Sequence, residues 1–425
     1  MISVEIERLT LEGLGVAHHE GKTLFVPDAL PGERVEVAMG RRHARYDEAR
    51  PRRYLRRSVD RKEPVCPHFG SCGGCALQML DPAAQIRHKT AATLEVLERI
   101  GQLCPEQVDL PVTGQSWSYR RRARLHCEVA SGGRLEIGYR TRGGRSVFAL
   151  RQCPILVPAL AEWVTRLGEL LDPIPDRRAL SGIELASGDQ GPAARLFARP
   201  GLRPAGWRAL GARLAALGLP VEEEGPVEGS SGAVTLRQSY RLDEFDCEIA
   251  FRVADFIQVH EGVNRSLVRD LVVWADPSPA GGWLDLYAGV GNFSLPLARR
   301  AGSVIAVEGH PGSCETLRHN IRRNGLPNVH VAQADLSRPL EGLAVGGSVE
   351  GVVLDPPRSG AASVLEAFSR WRPERLLYVS CHPATLARDA ARLVRDLGYR
   401  FIRLRTYDMF PQTAHLECLA LFVRA

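Results

Sequence analysis

Along residues 1–57, apolar and polar positions alternate in short bursts, VEIERLTL, GVAHH, TLFVP and RVEVAMG, each closed by glycine, proline or charged residues. A period of two punctuated by turn residues predicts short strands, and about five of them would close as a small β-barrel. The period then changes. In AAQIRHKTAATLEVLERIG, Ile86, Thr90, Leu94 and Leu97 share one helical face and Gly101 ends the run. From about 105 to 250, the strand-like ARLHCEVA, RLEIGYRT, VFALRQC, GIELAS and ARLFARP are interrupted by RPGLRPAGW and EEEGPVEGSSG, which reads as a mixed α+β middle. Beyond 250, strand and helix take turns: WLDLYAG, a helix from Asn292, VIAVEG, a helix through Cys314 to Asn324, VHVAQAD, VEGVVLD, a helix near Val364, RLLYVSC and a helix from Ala384. Such alternation predicts an α/β, doubly wound, mostly parallel sheet with its site at the carboxyl ends of the strands. The final pair, FIRLRTYDMF and HLECLALFVRA, is too closely spaced for a crossover helix and is expected as an antiparallel hairpin at one side of that sheet. Three units follow, 1–57, 58–248 and 249–425, with the helix at 84–100 able to pack on the last despite its early place.

Composition narrows the class. Hydrophobic residues at 44% and charged residues at 24% are globular values, and no run approaches the roughly 20 apolar residues of a membrane span. The N-terminus lacks the basic-then-apolar layout of a signal peptide, so a cytoplasmic protein without a membrane partner is expected. Net charge is only +6, yet eight arginines between Arg41 and Arg57 face Asp47 and Glu48 alone. Arginine outnumbers lysine throughout, but this clustering favours a surface for a polyanion.

The loop Asp285-Leu-Tyr-Ala-Gly289-Val-Gly291-Asn292 lies between a predicted strand and helix, where glycines let backbone turn sharply against a ligand. Glu308 ends the next strand and can accept from ribose hydroxyls. The third glycine of a dinucleotide fingerprint is replaced by Ser294, and no pyrophosphate cradle is evident, so S-adenosylmethionine suits the loop better than a nicotinamide dinucleotide. Asp335 ends the following strand and either reaches the adenine or serves as a turn carboxylate. Asp355-Pro-Pro-Arg358 closes the next, its prolines fixing the chain direction at the cleft. RLLYVSCHP delivers Cys381 to the same edge. A lone cysteine is usually a small buried apolar residue, as Cys104, Cys127, Cys247, Cys314 and Cys418 are read here. At this edge a thiolate has a chemical use, because carbon 5 of uracil becomes nucleophilic once sulfur adds to carbon 6. Glu417 is the best-placed carboxylate to remove the carbon 5 proton afterwards; His415 and His382 read as hydrogen-bonding neighbours.

The ten cysteines are not a disulfide framework in a reducing compartment. Cys66, Cys72 and Cys75, spaced around glycines, with Cys153 before a proline, fit four thiolate ligands to a 4Fe–4S cluster, with a four-cysteine zinc site as the alternative. Between them, Trp117-Ser-Tyr119-Arg-Arg-Arg-Ala-Arg124 sets arginines beside aromatic rings that can stack on splayed bases, or forms a solvated strand.

These motifs, from GLGVAH through CPHFGSCGGC, SYRRRAR, FIQVH, DLYAGVGNFSLPLA, LDPPR, YVSCHPATLARD and DMFPQTAHLE, resemble the bacterial RNA uracil-C5 methyltransferases over nearly the whole chain. The likeness is to the 23S rRNA branch carrying a TRAM domain and an iron–sulfur cluster. It implies an N-terminal TRAM/OB-like β-barrel that binds RNA, a cluster-bearing α+β centre and a C-terminal Rossmann-like class I methyltransferase domain, acting on 23S rRNA as a monomer. It further implies that Gln258, Tyr287, Asn292, Glu308, Asp335 and Asp355 contact S-adenosylmethionine, that Cys66, Cys72, Cys75 and Cys153 hold the cluster, and that Cys381 is nucleophile and Glu417 base. Arg124, with Arg122, would lie near the RNA. Relatives acting on tRNA tend to lack barrel and cluster, so a tRNA uridine is the alternative substrate, ranked behind 23S rRNA. A noncatalytic RNA-binding factor is opposed by the intact Cys381, Glu417 and cofactor loop. The chain departs from the family at His260, His382 and Gln412, where asparagine, asparagine and histidine are usual, and at Ala288, where cysteine is frequent.

Overall fold

Strand signal in the N-terminal segment continues further than its apolar pattern suggests. In the computed structural model, which describes residues 2–174, 177–201, 206–222, 238–340, 343, 345 and 348–425, this segment holds six strands instead of about five. They lie in the order Ile2–Glu5, Arg34–Arg42, Tyr46–Arg56, Lys22–Val26, Gly15–His19 and Arg8–Leu9. The strand missed by apolar reading is Tyr46–Arg56. It buries only Asp47 and Ala49 on its inner face and turns Glu48, Arg50 and Arg52 outward, so its period of two is carried by arginines. Val4, Val26, Val35 and Val37 form the core beneath it.

The middle of the chain builds a second six-stranded sheet around Arg122–Val129 and Leu180–Gly188, packed against the helix Pro158–Leu171 through Leu160, Trp163, Leu167 and Leu171. The centre of RPGLRPAGW and all of EEEGPVEGSSG after Glu222 lie outside the described residues. An antiparallel pair, Gln238–Leu242 and Cys247–Phe251, straddles the 248/249 boundary expected from sequence. It is fastened to the helix Pro311–Arg323, because Asn320 both accepts from the Ala250 amide and donates to its carbonyl. One apolar cluster runs without a break from Leu125 of the middle sheet to Val353 of the C-terminal one, so these parts share a core.

The C-terminal sheet has eight strands. Val329–Gln333, Ser303–Glu308, Gly282–Leu286, Val349–Leu354 and Arg375–Ser380 are parallel neighbours in that order. Glu417–Arg424 follows antiparallel to Arg375–Ser380 and pairs with Tyr399–Tyr407 as a hairpin. The hairpin does not end the sheet, since the two-residue strand Gln107–Val108 adds outside it. The helix after the glycine loop starts at Ser294 rather than Asn292 and lasts only to Ala298. The early helix runs Pro82–Val96, capped by Asp81, and widens into a π turn over Leu97–Gly101. It is ended not by Gly101 but by Gln102, whose φ is 51°. Gly101 is needed for another reason: a Cβ there would lie 3.0 Å from the Ala387 carbonyl of the neighbouring helix Pro383–Arg395. The helix thus lies on the C-terminal unit, with Leu97 in its core and Thr90 hydrogen-bonded to Thr406 at 2.7 Å. No described helix is long and apolar enough to cross a membrane.

Candidate active site

Five parallel strands bring Leu286, Glu308, Gln333, Leu354 and Ser380 to one edge of the sheet. An antiparallel neighbour contributes its first residues to that same edge. Ser380 pairs with Cys418, so the residue after one strand, Cys381, and the residue opening the other, Glu417, arrive together.

The glycine loop leaves the first strand through three left-handed residues, Tyr287, Gly289 and Gly291, with φ of 67°, 54° and 101°. At Gly291 a side chain would collide with Leu295 and Leu317. Tyr287 has no glycine's freedom, and its strained backbone is held by neighbours: its hydroxyl donates to the Leu336 carbonyl at 3.2 Å. The loop is pinned from the next strand, where the Glu308 carboxylate accepts from the Gly289 amide at 2.9 Å and the His310 amide at 2.7 Å. Asn292 faces inward to the protein, in a reciprocal amide pair with Asn264 and accepting from the Tyr240 hydroxyl at 2.9 Å. Asp335 is exposed and turned onto Ser337, accepting from its amide and hydroxyl at 3.0 and 2.6 Å, which is the turn-carboxylate arrangement.

Among the described residues, three buried polar atoms near the loop have no hydrogen-bond partner: Gln258 Oε1, Asp285 Oδ1 and Arg121 Nη2. Native interiors rarely tolerate such atoms unless something completes them. Gln258 and Arg121 are neighbours, since Arg121 Nε donates to the Gln258 carbonyl at 2.9 Å, with its guanidinium 4.2 Å from the Tyr240 ring centre. The other Asp285 oxygen accepts from the Ser294 hydroxyl, and burial followed by the Glu308 charge pushes Asp285 up to about 7. Asp355 is likewise pushed up to about 7, by desolvation and then by Asp285. These arrangements make an acidic, partly unsatisfied cleft suited to a cationic ligand carrying donors.

Cys381 is half-buried, and its thiol is pushed up to about 11 by desolvation, then by Glu417 and Asp355; Arg358 opposes the rise through charge and a hydrogen bond. Glu417 is 3% exposed, and burial, followed by Asp355, holds its carboxyl well above the usual range. His415 accepts from Arg358 at 3.1 Å and is held below the usual imidazole range by desolvation and that cation. His382 caps the helix Pro383–Arg395, its ring accepting from the Thr385 amide at 3.4 Å. In the sequence Arg358 stands out only as the end of a strand-closing motif, and Arg121 has no role apart from its arginine neighbours. The signal for Arg358 was its place three residues from a strand-end aspartate; Arg121 had none, being one of three consecutive arginines.

Away from this edge, Cys66, Cys72, Cys75 and Cys153 line one cavity with Tyr139. Burial pushes the thiols of Cys75 and Cys153 up to about 11 and 12, and the neighbouring cysteines add to the rise. Among the described residues no three or more His, Cys, Asp or Glu side chains form a group that could hold a metal ion. Of the expected RNA contacts, Arg122 is committed to Glu184 at 2.8 Å, while Arg124 is exposed with its guanidinium 3.7 Å from the Phe197 ring centre. On the N-terminal sheet, Phe25 and Tyr46 meet edge-to-face at 5.3 Å in a groove lined by Arg41, Arg50 and Arg52. Among the described residues these three arginines have no side-chain partner.

Residues 235–425 match the family model described as tRNA (Uracil-5-)-methyltransferase, and residues 1–49 match that of the TRAM domain. The chain is 40% identical to a 23S rRNA (uracil(1939)-C(5))-methyltransferase of Alkalilimnicola ehrlichii, covering 99% of this chain and 96% of that protein. It is also 40% identical to the protein so named from Pseudomonas fluorescens, over 99% and 91% of the two chains. Among solved structures, the Pyrococcus abyssi tRNA (uracil-54, C5)-methyltransferase in complex with S-adenosyl-L-homocysteine superposes with a TM-score of 0.72, at 23% identity, over 99% of this chain and 100% of that one. That last likeness speaks for the fold.

Replacing Arg358 by alanine removes the cation opposing the rise of the Cys381 thiol. Alkylation of Cys381 by iodoacetamide at pH 8.5, followed peptide by peptide, is expected to slow about three- to tenfold, its pH midpoint moving up by about half to one unit. An unchanged midpoint would remove Arg358 from the thiol's environment.

Proposed function

The chain belongs to the RNA uracil-C5 methyltransferase family, and from that membership and the geometry of the sheet edge we propose that it methylates carbon 5 of a uridine in 23S rRNA with S-adenosylmethionine. The observation that carries the reading is the antiparallel register that sets Glu417 beside Cys381 at the edge holding the glycine loop. The uridine corresponding to the position 1939 named for its relatives is the natural target. The tRNA-modifying relative shares the fold at lower identity, so 23S rRNA is preferred to tRNA.

Cys381 sulfur bonds to carbon 6, and the electron pair displaced from the carbon 5–carbon 6 double bond makes carbon 5 nucleophilic. Carbon 5 takes the methyl group of the sulfonium, releasing S-adenosylhomocysteine. Glu417 then removes the carbon 5 proton, the double bond reforms and the sulfur–carbon 6 bond breaks, returning the thiolate. A carboxyl held high by burial is a stronger base once ionised than an exposed one, which suits Glu417 to the slow carbon acid. With burial, Glu417 and Asp355 pushing its thiol up to about 11, Cys381 is mostly protonated in the free protein, so Arg358 and the bound base must raise the thiolate fraction.

For the cofactor, the unpartnered Gln258 Oε1 would accept from the ammonium of its methionine end, and Glu308, already holding the loop, would take ribose hydroxyls on its remaining lone pairs. Asp355, Tyr287 and Asp335 would border the same cleft; Asn292 would act through the loop it braces. The acidic Asp285 and Asp355 would favour the sulfonium charge over the neutral product.

Residues 1–57 as a TRAM-like, OB-like RNA-binding unit and 58–248 as a cluster-bearing one complete the proposal. The groove arginines and the Phe25–Tyr46 pair suit a single strand, cations meeting phosphates and rings meeting bases. Phe256, 60% exposed beside Arg122, offers a further ring for an unstacked base. Loosening the RNA is required because a stacked uracil gives no access to carbon 6. Although among the described residues no three His, Cys, Asp or Glu side chains form a metal-holding group as they stand, the four cysteines line one cavity, and they would hold a 4Fe–4S cluster, which supplies cross-linking of chain segments distant in sequence. Its presence would reverse the upward push on those thiols.

Incubation with labelled S-adenosylmethionine and transcripts of both RNAs is expected to put 5-methyluridine into 23S rRNA; label in tRNA alone would overturn the substrate. Protein purified without oxygen is expected to hold about four irons and four sulfides per chain. Stoichiometric zinc without iron would rule the cluster out.

A further inference from the structure

Gln412 sits in the left-handed region at φ 69° and is 1% exposed, in the loop leading from Asp408 to Glu417. Every polar group it owns is used, and each partner comes from a segment more than 290 residues away. Its carbonyl accepts from the amides of Ala76 and Leu77, directly after Cys75, at 3.0 and 2.9 Å. Its amide donates to Gln85 Oε1 at 2.8 Å, and Gln85 Nε2 donates back to Gln412 Oε1 at 2.9 Å. Gln412 Nε2 reaches the Ser116 carbonyl at 3.3 Å. Gln85 Nε2 also lies 3.0 and 2.8 Å from the carbonyls of Leu77 and Leu80, so its two hydrogens are shared among three acceptors and close the network on the cysteine-rich segment.

The same loop is held on either side. Lys89 Nζ, 3% exposed, donates to Asp408 at 2.8 Å and to the Phe410 carbonyl at 3.1 Å, and the Tyr119 hydroxyl donates to the Pro411 carbonyl at 2.9 Å. Downstream lie His415 on Arg358 and Glu417 beside Cys381. A buried network satisfied at every atom has one low-energy geometry, so it transmits position rather than mobility.

We propose that Gln412 is a positioning residue for the proton-removal step, clamping the Glu417 loop to the cysteine-rich segment through its reciprocal bond with Gln85. The proposal rests on the methyltransferase reading above. It assigns to the cysteine-rich segment a mechanical part in catalysis: whatever orders residues 66–77 also orders the base. The largest effect falls on release of product, which needs Glu417 directly; sulfur addition feels this loop only through His415 and Arg358, and methyl transfer needs the cofactor cleft.

The variants are Gln412→Asn, which tolerates the left-handed backbone and keeps every backbone bond, that to Gln85 Oε1 included, but withdraws the side-chain oxygen from Gln85 Nε2, Gln85→Leu, which removes both bonds of the pair, and the double variant. Rapid-quench methylation of a 23S rRNA fragment by the full chain would be followed together with the share of RNA trapped as a methylated, detergent-stable adduct. The expected result is a turnover at least tenfold slower, a burst of methyl transfer and a KM for S-adenosylmethionine within twofold of the unaltered protein, and accumulation of the methylated adduct. The double variant is expected to be no slower than Gln85→Leu, since that substitution already removes the bond to Gln412 Oε1 that Gln412→Asn loses. Turnover within twofold, or turnover, burst and cofactor affinity falling together, would overturn the positioning role. If the unaltered protein methylates no uridine, the methyltransferase reading fails and the proposal with it.

Discussion

The site depends on the pairing of Ser380 with Cys418 between antiparallel neighbours. A strand running with its parallel neighbours would have brought its last residue to this edge; one running against them brings its first, and that residue is Glu417. One slip in register would send Glu417 to the other face of the sheet, because side chains alternate with a period of two. The register is protected by burial on both sides, with Leu377, Val379 and Leu419 in one core cluster and Tyr378, Cys418 and Ala420 in the other. Packing far from the cleft thus determines which two groups can act on adjacent carbons of one base.

That placement has an electrostatic consequence. Burial raises Asp285, Asp355 and Glu417, with Glu308 adding to the rise at Asp285, Asp285 to that at Asp355 and Asp355 to that at Glu417, while burial followed by Glu417 and Asp355 holds the Cys381 thiol protonated. Such a cluster destabilises the empty protein, and it suits a bound sulfonium, whose positive charge the acids favour. Loss of that charge on methyl transfer weakens the attraction, which aids exchange of the spent cofactor. Arg358 is the cation that reaches the thiol directly, held in place by His415. Local strain at Tyr287 and Gln412 marks the two loops that the rest of the molecule holds in position.

Much of this was legible in the sequence for a physical reason: parallel strands buried on both faces leave long apolar runs, and the residue after each run falls at the edge. Cys381, Glu308 and Asp355 could be placed on one edge that way, and the short spacing before Glu417 forced a hairpin. Resemblance supplied Gln258, for which spacing offered nothing. What escaped was non-local. The arginine-rich strand Tyr46–Arg56 buries little apolar surface, so its inner face had no pattern to read. Arg121 is buried where Arg124 is exposed, a difference set by the Tyr240 ring and the Gln258 carbonyl from distant segments. Gln412 was visible only as a departure from a usual histidine, and its partners at Ala76, Leu77 and Gln85 cannot be inferred from any local window. Asp335, read as either ligand or turn carboxylate, adopts the turn geometry with Ser337.

The account stands on a covalent bond between this chain and its RNA. A 23S rRNA fragment carrying 5-fluorouridine at the target cannot lose a carbon 5 proton, so the adduct should persist and can be digested and sequenced by mass spectrometry. The account predicts methylated fluorouridine joined through carbon 6 to the Cys381 sulfur. An adduct on any other cysteine, or one that survives Cys381→Ala, would contradict it.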